Sequence, residues 1–140
     1  MNVLVDTSVW FLALRRARPE PHPVMAELAE LIREARVVMM GLIRQELLSG
    51  VKDDRQFETL RDHLRAFADL PLEVEDHEQA AAFFSRGRAR GIQGSSIDLL
   101  ICATAARREL AVLTTDEDFT RYARVLPLLY TNLGRTSVWR

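Results

Sequence analysis

Short, uninterrupted apolar runs recur along the chain and mark its predicted strands. Three of them, each too short for a helix, cover residues 2–5, 37–40 and 111–115. Runs without polar alternation are typical of strands that are buried on both faces of a sheet. A weaker strand is predicted at 70–74, where Pro71 favours a sheet edge, and a last one near 128–130.

Helical patterns fill the stretches between these strands. Apolar residues at helical spacing predict helices over 24–35, 42–49, 57–67, 80–84 and 95–106, and a short one ends near 124. Asp76, with Gln79 three residues later, predicts the capping box of the helix through 80–84. Strands that alternate with helices over the whole length predict one domain, residues 1–140: an α/β fold with a doubly wound parallel sheet sandwiched by helices.

The stretch 9–14 differs from the other helices because it is apolar on every side. Such a helix must be buried, either within the domain or against a second copy of it. Trp10 and Phe11 are expected on a face that the sheet does not also cover. The loop after it, residues 15–23, is rich in arginine and proline. We therefore expect a homodimer or a partner contact at this helix and loop.

Composition narrows the class of protein without identifying it. The chain is 48% hydrophobic and 28% charged, as in ordinary globular proteins. Cys102 is its only cysteine, so no internal disulfide forms and a reducing, cytoplasmic location is expected. The apolar N-terminal run is interrupted by Asp6 and no basic segment precedes it, so neither a signal peptide nor a membrane span is predicted.

The charges are balanced overall but unevenly composed. A net charge of −1 argues against binding of nucleic acid by bulk attraction. Arginine supplies every basic residue except Lys52 and clusters at 15–18, 86–90 and 107–108. The guanidinium fork suits phosphate recognition. A solvated arginine-rich surface explains the same clusters equally well.

Two acids stand at the predicted ends of strands. Asp6 follows the first strand and Asp116 follows the strand at 111–115. In an open parallel sheet the functional site lies at the carboxyl ends of the strands. If these two strands are neighbours, both carboxylates project from the same edge.

Two further acids lie on helices beside apolar stripes. Asp98 is three residues after Ser95, the spacing of a capping box, in a helix that is otherwise almost wholly apolar. Glu46 lies beside the apolar stripe of its own helix and too far from the helix start to be a cap. Helices that pack across the sheet edge would bring both acids to Asp6 and Asp116.

Four converging carboxylates repel one another strongly in a low-dielectric pocket, so a divalent cation is expected among them. Sites without histidine or cysteine ligands suit Mg²⁺ or Mn²⁺ rather than zinc. The histidines, His22, His63 and His77, are scattered and expected at the surface. Acidic clusters with such metals support in-line displacement at phosphorus.

With these residues in place the chain resembles the PIN-domain family, specifically the VapC-type ribonuclease toxins of bacterial toxin–antitoxin pairs. The resemblance runs over essentially the full length and is carried by the motifs at 5–9, 44–50, 98–105 and 114–119. Each motif alone is weak, but their order and spacing together are specific. The resemblance implies a metal-dependent endoribonuclease that acts on RNA, is silenced by a cognate antitoxin and is commonly dimeric.

The resemblance also implies roles for individual residues. Asp6, Glu46, Asp98 and Asp116 match the family's acidic quartet, with Asp6 and Asp98 as principal metal ligands. Asp116 is a further ligand and Glu46 orients or deprotonates the attacking water. Asp118 is the alternative for the fourth acid, and Asp116 is favoured because it follows the strand directly. Hydroxyls are expected to come from Thr7 and Thr115.

Other functions that use an acidic pocket fit less well. A receiver-like signalling module needs an adjacent acidic pair after the first strand and a late lysine, whereas the chain has Asp6 followed by Thr7 and only Lys52. An Asp-x-Asp phosphatase has an acid where Ser8 stands. A PIN-fold nuclease with a housekeeping role in RNA maturation shares the chemistry, so this alternative stays open.

Overall fold

A computed structural model describes residues 1–14 and 22–128, and the backbone of 130–131. Its strands are β1 Val3–Val5, β2 Val37–Val38, β3 Ala111–Leu113 and β4 Tyr130–Thr131. Its helices are α1 Thr7–Leu14, α2 Pro23–Arg33, α3 Gly41–Ser49, α4 Asp54–Leu64, α5 Val74–Ala89, α6 Ser96–Arg107 and α7 Asp118–Tyr122. Helices separate every pair of successive strands: α1 and α2 follow β1, α3 to α6 follow β2, and α7 follows β3.

The described strands form one parallel sheet in the order β2-β1-β3-β4. Val3 pairs with Val37 on one side and with Ala111 on the other. The chain therefore moves outward from β1 in one direction to β2 and later returns to the opposite side of β1 to add β3. This reversal confirms the doubly wound sheet and places the switch in strand order between β1 and β3, where a site is expected.

The centre of the sheet is fully apolar because it is covered on both faces. Every residue of β1 and β3 is buried. Helix α6 is buried at every position from Leu99 to Ala105, so it lies deep in the core. The apolar stripe that was expected around Asp98 is thus packed inside the domain. No helix in the described ranges is long and apolar enough to cross a bilayer.

The strand predicted at 70–74 is wrong. Only Asp69 forms an isolated bridge to Met39, and the backbone N–H of Leu70 donates to the Met39 carbonyl at 2.8 Å. Pro71 has no N–H with which to continue a ladder. Val74 instead begins α5 with 69% of its surface exposed.

Helix α5 also begins earlier and ends later than predicted. Asp76 does belong to a capping box, but as its third helical residue, with Glu73 as the N-cap. The Asp76 carboxylate accepts the backbone N–H of Glu73 at 2.7 Å. The box therefore starts the helix at Val74, and the helix runs to Ala89 rather than ending near residue 84.

The expectation for α1 is half right. Trp10 is only 4% exposed and packs edge-on against Phe67, with 5.2 Å between ring centroids, so the core does cover it. Phe11 and Leu14 remain 46% and 38% exposed. Most of the arginine- and proline-rich loop after α1, at 15–21, lies outside the described residues.

Candidate active site

Asp6 directly follows β1 and is a buried carboxylate with 5% of its surface exposed. Its Oδ2 accepts hydrogen bonds from the hydroxyls of Ser8 at 2.8 Å and Thr114 at 2.9 Å. Burial raises the pKa of Asp6, and the negative charge of Asp116 raises it further, while the two hydroxyls oppose the shift. Within the described part of the chain Asp6 has no salt bridge, so its charge is held by these two hydroxyls and by the backbone N–H of Thr7.

Asp98 lies in the first turn of α6, and hydrogen bonds fix both its backbone and its carboxylate. Its backbone N–H donates to the Ser95 hydroxyl at 3.0 Å, which confirms Ser95 as the N-cap. Its carboxylate Oδ2 accepts the hydroxyl of Tyr122 at 2.7 Å. Burial is the largest cause of its raised pKa, the Tyr122 bond opposes the shift, and the charges of Asp6 and Asp116 add to it. Asp6, Asp98 and Asp116 therefore act on one another electrostatically.

Asp116 and Asp118 both approach Asp98 from the segment after β3. One carboxylate oxygen from each of the three residues lies within 4.8 Å of the other two. Asp116 accepts the backbone N–H of Asp118 through Oδ1 at 2.9 Å, which fixes the two residues relative to each other. Strand β3 ends at Leu113, so Asp116 does not follow it directly as expected.

Asp116 and Asp118 differ in their charge partners. Asp118 Oδ1 lies 2.6 Å from Nη2 of Arg121, one turn further along α7. Asp116 has no such ion pair among the described residues. Arg121 therefore partly offsets the negative charge of Asp118. The negative charge of Asp116 raises the pKa of both Asp6 and Asp98.

Glu46 joins the site through the residue next to Asp6. The hydroxyl of Thr7 donates to Glu46 Oε1 at 2.9 Å and so connects the first residue of α1 to α3. Glu46 is half-buried and, with Ile97, lines a cleft of about 290 Å³. Ile97 directly precedes Asp98 in α6, but Glu46 itself is not among the close group of three carboxylates.

Sequence reasoning missed several of the hydroxyl partners. Thr7 does supply one, to Glu46, whereas the hydroxyls on Asp6 come from Ser8 and Thr114, and among the described residues no hydroxyl contact is seen from Thr115 to an acid of the site. Thr115 takes part through its backbone N–H, which donates to the Ser8 hydroxyl at 3.1 Å. Tyr122 was also missed, although it stands four residues after Asp118, the spacing that puts two residues on one helix face.

The donor atoms of this cluster fit a hard divalent cation. The close group of Asp98, Asp116 and Asp118 offers only carboxylate oxygens. Burial, followed by the charges of Asp98 and Asp6, raises the pKa of the nearby Cys102, so its thiol stays neutral. Oxygen donors without a thiolate or an imidazole suit Mg²⁺ or Mn²⁺.

A scan against protein-family models matches residues 3–125 to the PIN domain. This chain belongs to the PIN-domain family. The match spans β1 to the residues just after α7, so it includes all the acids described above. Membership excludes the receiver-like module and confirms the family that the four motifs indicated.

Curated relatives within the PIN-domain family carry VapC names. The chain is 32% identical over 130 residues to VapC ribonuclease Mb1587 of Mycobacterium bovis, across 90% of this chain and 95% of that protein. Ribonuclease VapC11 of Mycobacterium tuberculosis matches with the same identity and coverage. These relatives confirm that the resemblance within the PIN-domain family is to the VapC type.

Solved structures share this PIN fold over nearly the whole chain. FitAcB from Neisseria gonorrhoeae is 25% identical with a TM-score of 0.75, and the match covers 96% of this chain and 99% of that one. VapBC2 from Rickettsia felis, bound to a DNA fragment from its promoter, is 18% identical with a TM-score of 0.75, over 94% and 98% of the two chains. The second likeness bears on the fold alone.

Proposed function

We propose that this PIN-domain protein is a metal-dependent endoribonuclease and the toxin of a type II toxin–antitoxin pair. The observation that carries the proposal is the convergence of Asp98, Asp116 and Asp118 within 4.8 Å, beside the buried Asp6, at the carboxyl ends of β1 and β3. The ribonuclease names of the VapC relatives support the choice of RNA as substrate.

The acidic cluster is the proposed site of a Mg²⁺ or Mn²⁺ ion. Asp6 and Asp98 are the proposed principal ligands: Asp98 is a member of the close group of three carboxylates, and Asp6, outside that group, is a buried acid whose charge acts on Asp98. Asp116 is a further ligand, and Asp118 lies close enough to assist. When bound, such a cation lowers the pKa of water and offsets the charge that develops on phosphate oxygens.

Glu46 has the proposed role of orienting and deprotonating the attacking water. The Thr7 hydroxyl holds one of its carboxylate oxygens, which fixes the side chain next to the Asp6 end of β1. Glu46 is outside the close group of three carboxylates, and it lines the adjoining cleft. A carboxylate in that place accepts a proton at the border of the site without itself being needed as a ligand.

The proposed partners are a cognate antitoxin and a second copy of the chain. The exposed side chains of Phe11 and Leu14 line a groove of about 700 Å³, together with Leu47 of α3 and Leu60 of α4. An apolar groove of this size suits a partner protein segment. Sedimentation of the free protein at micromolar concentration is expected to give twice the mass of one chain; a clean monomer would contradict the dimer.

The activity is tested by incubating the protein with total RNA and Mg²⁺ or Mn²⁺, with and without chelator, and mapping the new 5′ ends. We expect discrete ends that require the metal and that disappear with Asp98→Asn, which also controls for contaminating nucleases. Cleavage that survives the chelator or the substitution would contradict the proposal. Growth arrest on expression of the wild type, but not of Asp98→Asn, separates a toxin from a housekeeping nuclease.

A further inference from the structure

Tyr122 is a buried tyrosine whose hydroxyl reaches the acidic cluster. Only 1% of its surface is exposed, and its hydroxyl donates to Asp98 Oδ2 at 2.7 Å. Its ring packs edge-on against Phe119, with 5.2 Å between the centroids. The phenol therefore has a fixed position, and its polar end meets a carboxylate that the proposed function assigns to the metal.

Gly94 provides the space that this phenol occupies. A Cβ atom at residue 94 would lie 2.9 Å from Cε1 of Tyr122 and 3.0 Å from its hydroxyl oxygen. Such distances are shorter than van der Waals contact, so any larger residue would displace the ring. Gly94 directly precedes Ser95, whose hydroxyl accepts the backbone N–H of Asp98. Two consecutive residues thus have two roles: Ser95 fixes the backbone of Asp98, and Gly94 leaves room for the phenol that holds the Asp98 side chain.

Helix α7 places two groups against Asp98 from the same side. Asp118 and Tyr122 are four residues apart and share a helix face. The carboxylate of Asp118 lies within 4.8 Å of that of Asp98, while the Tyr122 hydroxyl donates to it. The attraction of the hydroxyl opposes the repulsion between the two carboxylates.

We propose that Tyr122 is a positioning residue of the metal site, which holds the Asp98 carboxylate in its metal-binding orientation, and that Gly94 is the position that makes this possible. The inference rests on the proposed function, because it assumes that Asp98 binds the cation. Without the hydroxyl, repulsion from Asp116 and Asp118 would turn the Asp98 side chain away in the metal-free protein. Hydrogen bonds to metal ligands are typically worth about 10- to 100-fold in metal affinity.

Tyr122→Phe tests the proposal because it keeps the ring and removes only the hydroxyl. We expect the affinity for Mn²⁺, measured by calorimetric titration and by electron paramagnetic resonance of free Mn²⁺, to fall by about 10- to 100-fold. RNA cleavage should recover at high Mn²⁺ concentration, since the loss is in affinity. Unchanged Mn²⁺ affinity in a folded Tyr122→Phe variant would overturn the inference.

Thr120→Val is the matched control on the same helix. It also removes a hydroxyl with little change of volume, and Thr120 Oγ1 is buried with no hydrogen-bond partner among the described residues. Its Mn²⁺ affinity should equal that of the wild type. An equal loss in both variants would assign the effect to helix α7 as a whole and overturn the role of the Tyr122 hydroxyl.

A double-mutant cycle shows whether Tyr122 acts through Asp98. In an Asp98→Asn background, Tyr122→Phe should have no further effect on Mn²⁺ binding, whereas a purely independent contribution would persist. Gly94→Ala should weaken binding by displacing the phenol, and it should cost little more once Tyr122→Phe has removed the hydroxyl. If Gly94→Ala leaves the affinity intact, the fit between residue 94 and the phenol has no role.

The wild type separates failure of this inference from failure of the proposed function. A wild-type protein that binds Mn²⁺ and cleaves RNA, with Tyr122→Phe indistinguishable from it, would contradict the positioning role alone. A wild-type protein that binds no Mn²⁺ would contradict the metal site itself and the positioning role with it.

Discussion

Asp76 and Asp98 occupy the same position, the third residue, of two adjacent helices, and their surroundings are opposite. Asp76 is fully buried and accepts from Arg107 at 2.6 Å and from Arg108 at 2.5 and 2.8 Å. The hydrogen bond from Arg108 is the largest cause that holds the pKa of Asp76 well below its usual range. Asp98 meets a hydroxyl and other acids, and its pKa is raised.

The packing of α5 against α6 makes the contrast sharper. Arginines at the end of α6 pair with Asp76 at the start of α5, so the two helices run antiparallel. The end of α5 also carries arginines, yet Arg86 and Arg88 lie over the rings of Phe83 and Phe84 instead of pairing with Asp98. A buried charge needs compensation. At Asp76 the protein supplies its own cations, Arg107 and Arg108. We interpret the surroundings of Asp98 as a site for a cation from solution.

An Asp→Asn substitution should have opposite effects at Asp98 and at Asp76. The largest expected effect is the loss of activity at the acidic cluster, which also includes Asp6. Asp98→Asn and Asp6→Asn should each abolish RNA cleavage, with a loss of more than about 100-fold. Removal of a metal ligand should cost more than removal of a hydrogen-bond partner of a ligand, which typically costs about 10- to 100-fold in metal affinity or activity. Metal-free thermal melts should show unchanged or higher stability, since one repelling charge is gone. A large fall in melting temperature would make these acids structural.

Asp76→Asn should instead destabilise the fold by roughly 3 kcal/mol, because it leaves two arginines beside a buried amide that cannot neutralise them. Urea unfolding followed by circular dichroism measures this change. At urea concentrations below its own unfolding midpoint, the Asp76→Asn variant should still cleave RNA at the wild-type rate. A stable but inactive Asp76→Asn protein would remove the distinction between the two acidic groups.

Within the acidic cluster, Asp116→Asn should cost at least about ten times more cleavage activity than Asp118→Asn. Arg121 already offsets part of the Asp118 charge, whereas Asp116 acts on both Asp6 and Asp98. Initial rates at one fixed Mn²⁺ concentration compare the two variants. The reverse order would make Asp118 the fourth acid, and equal losses would remove the distinction between the two.

The smallest effects are in the pH dependence of metal-free stability, and they have opposite signs. The pKa of Asp76 is lowered in the folded state, so its stabilisation is present above the unfolded value of 3.8 and is lost as the pH falls towards the folded pKa. The pKa of Asp98 is raised, so it destabilises increasingly as the pH rises above 3.8. Free energies of unfolding should therefore be measured between pH 3 and 7. The increase in stability caused by Asp98→Asn should grow as the pH rises. The decrease in stability caused by Asp76→Asn should become smaller towards low pH. Parallel curves would contradict the opposite shifts.

The sequence predicts the strands and the acids well because both depend on local pattern. The buried runs identify β1 and β3, and the position of Asp6 after such a run predicts the sheet edge. The spacing of Tyr122 from Asp118 indicates a shared helix face, but its contact with Asp98 spans 24 residues and depends on the direction of a five-residue helix, which local pattern does not give. The strand at 70–74 failed for a related reason: only Val74 of this stretch is helical, and the start of its helix is held by the distant pairing of Asp76 with Arg108.

The most direct test is a calorimetric titration of Mn²⁺ into chelator-stripped protein, with Asp98→Asn and Asp76→Asn measured beside the wild type at a temperature where all three are folded. Saturable binding is expected for the wild type and Asp76→Asn, and severely weakened binding for Asp98→Asn. Absence of binding to the wild type, or equal binding to all three, would contradict the interpretation of the acidic cluster around Asp98 as a metal site.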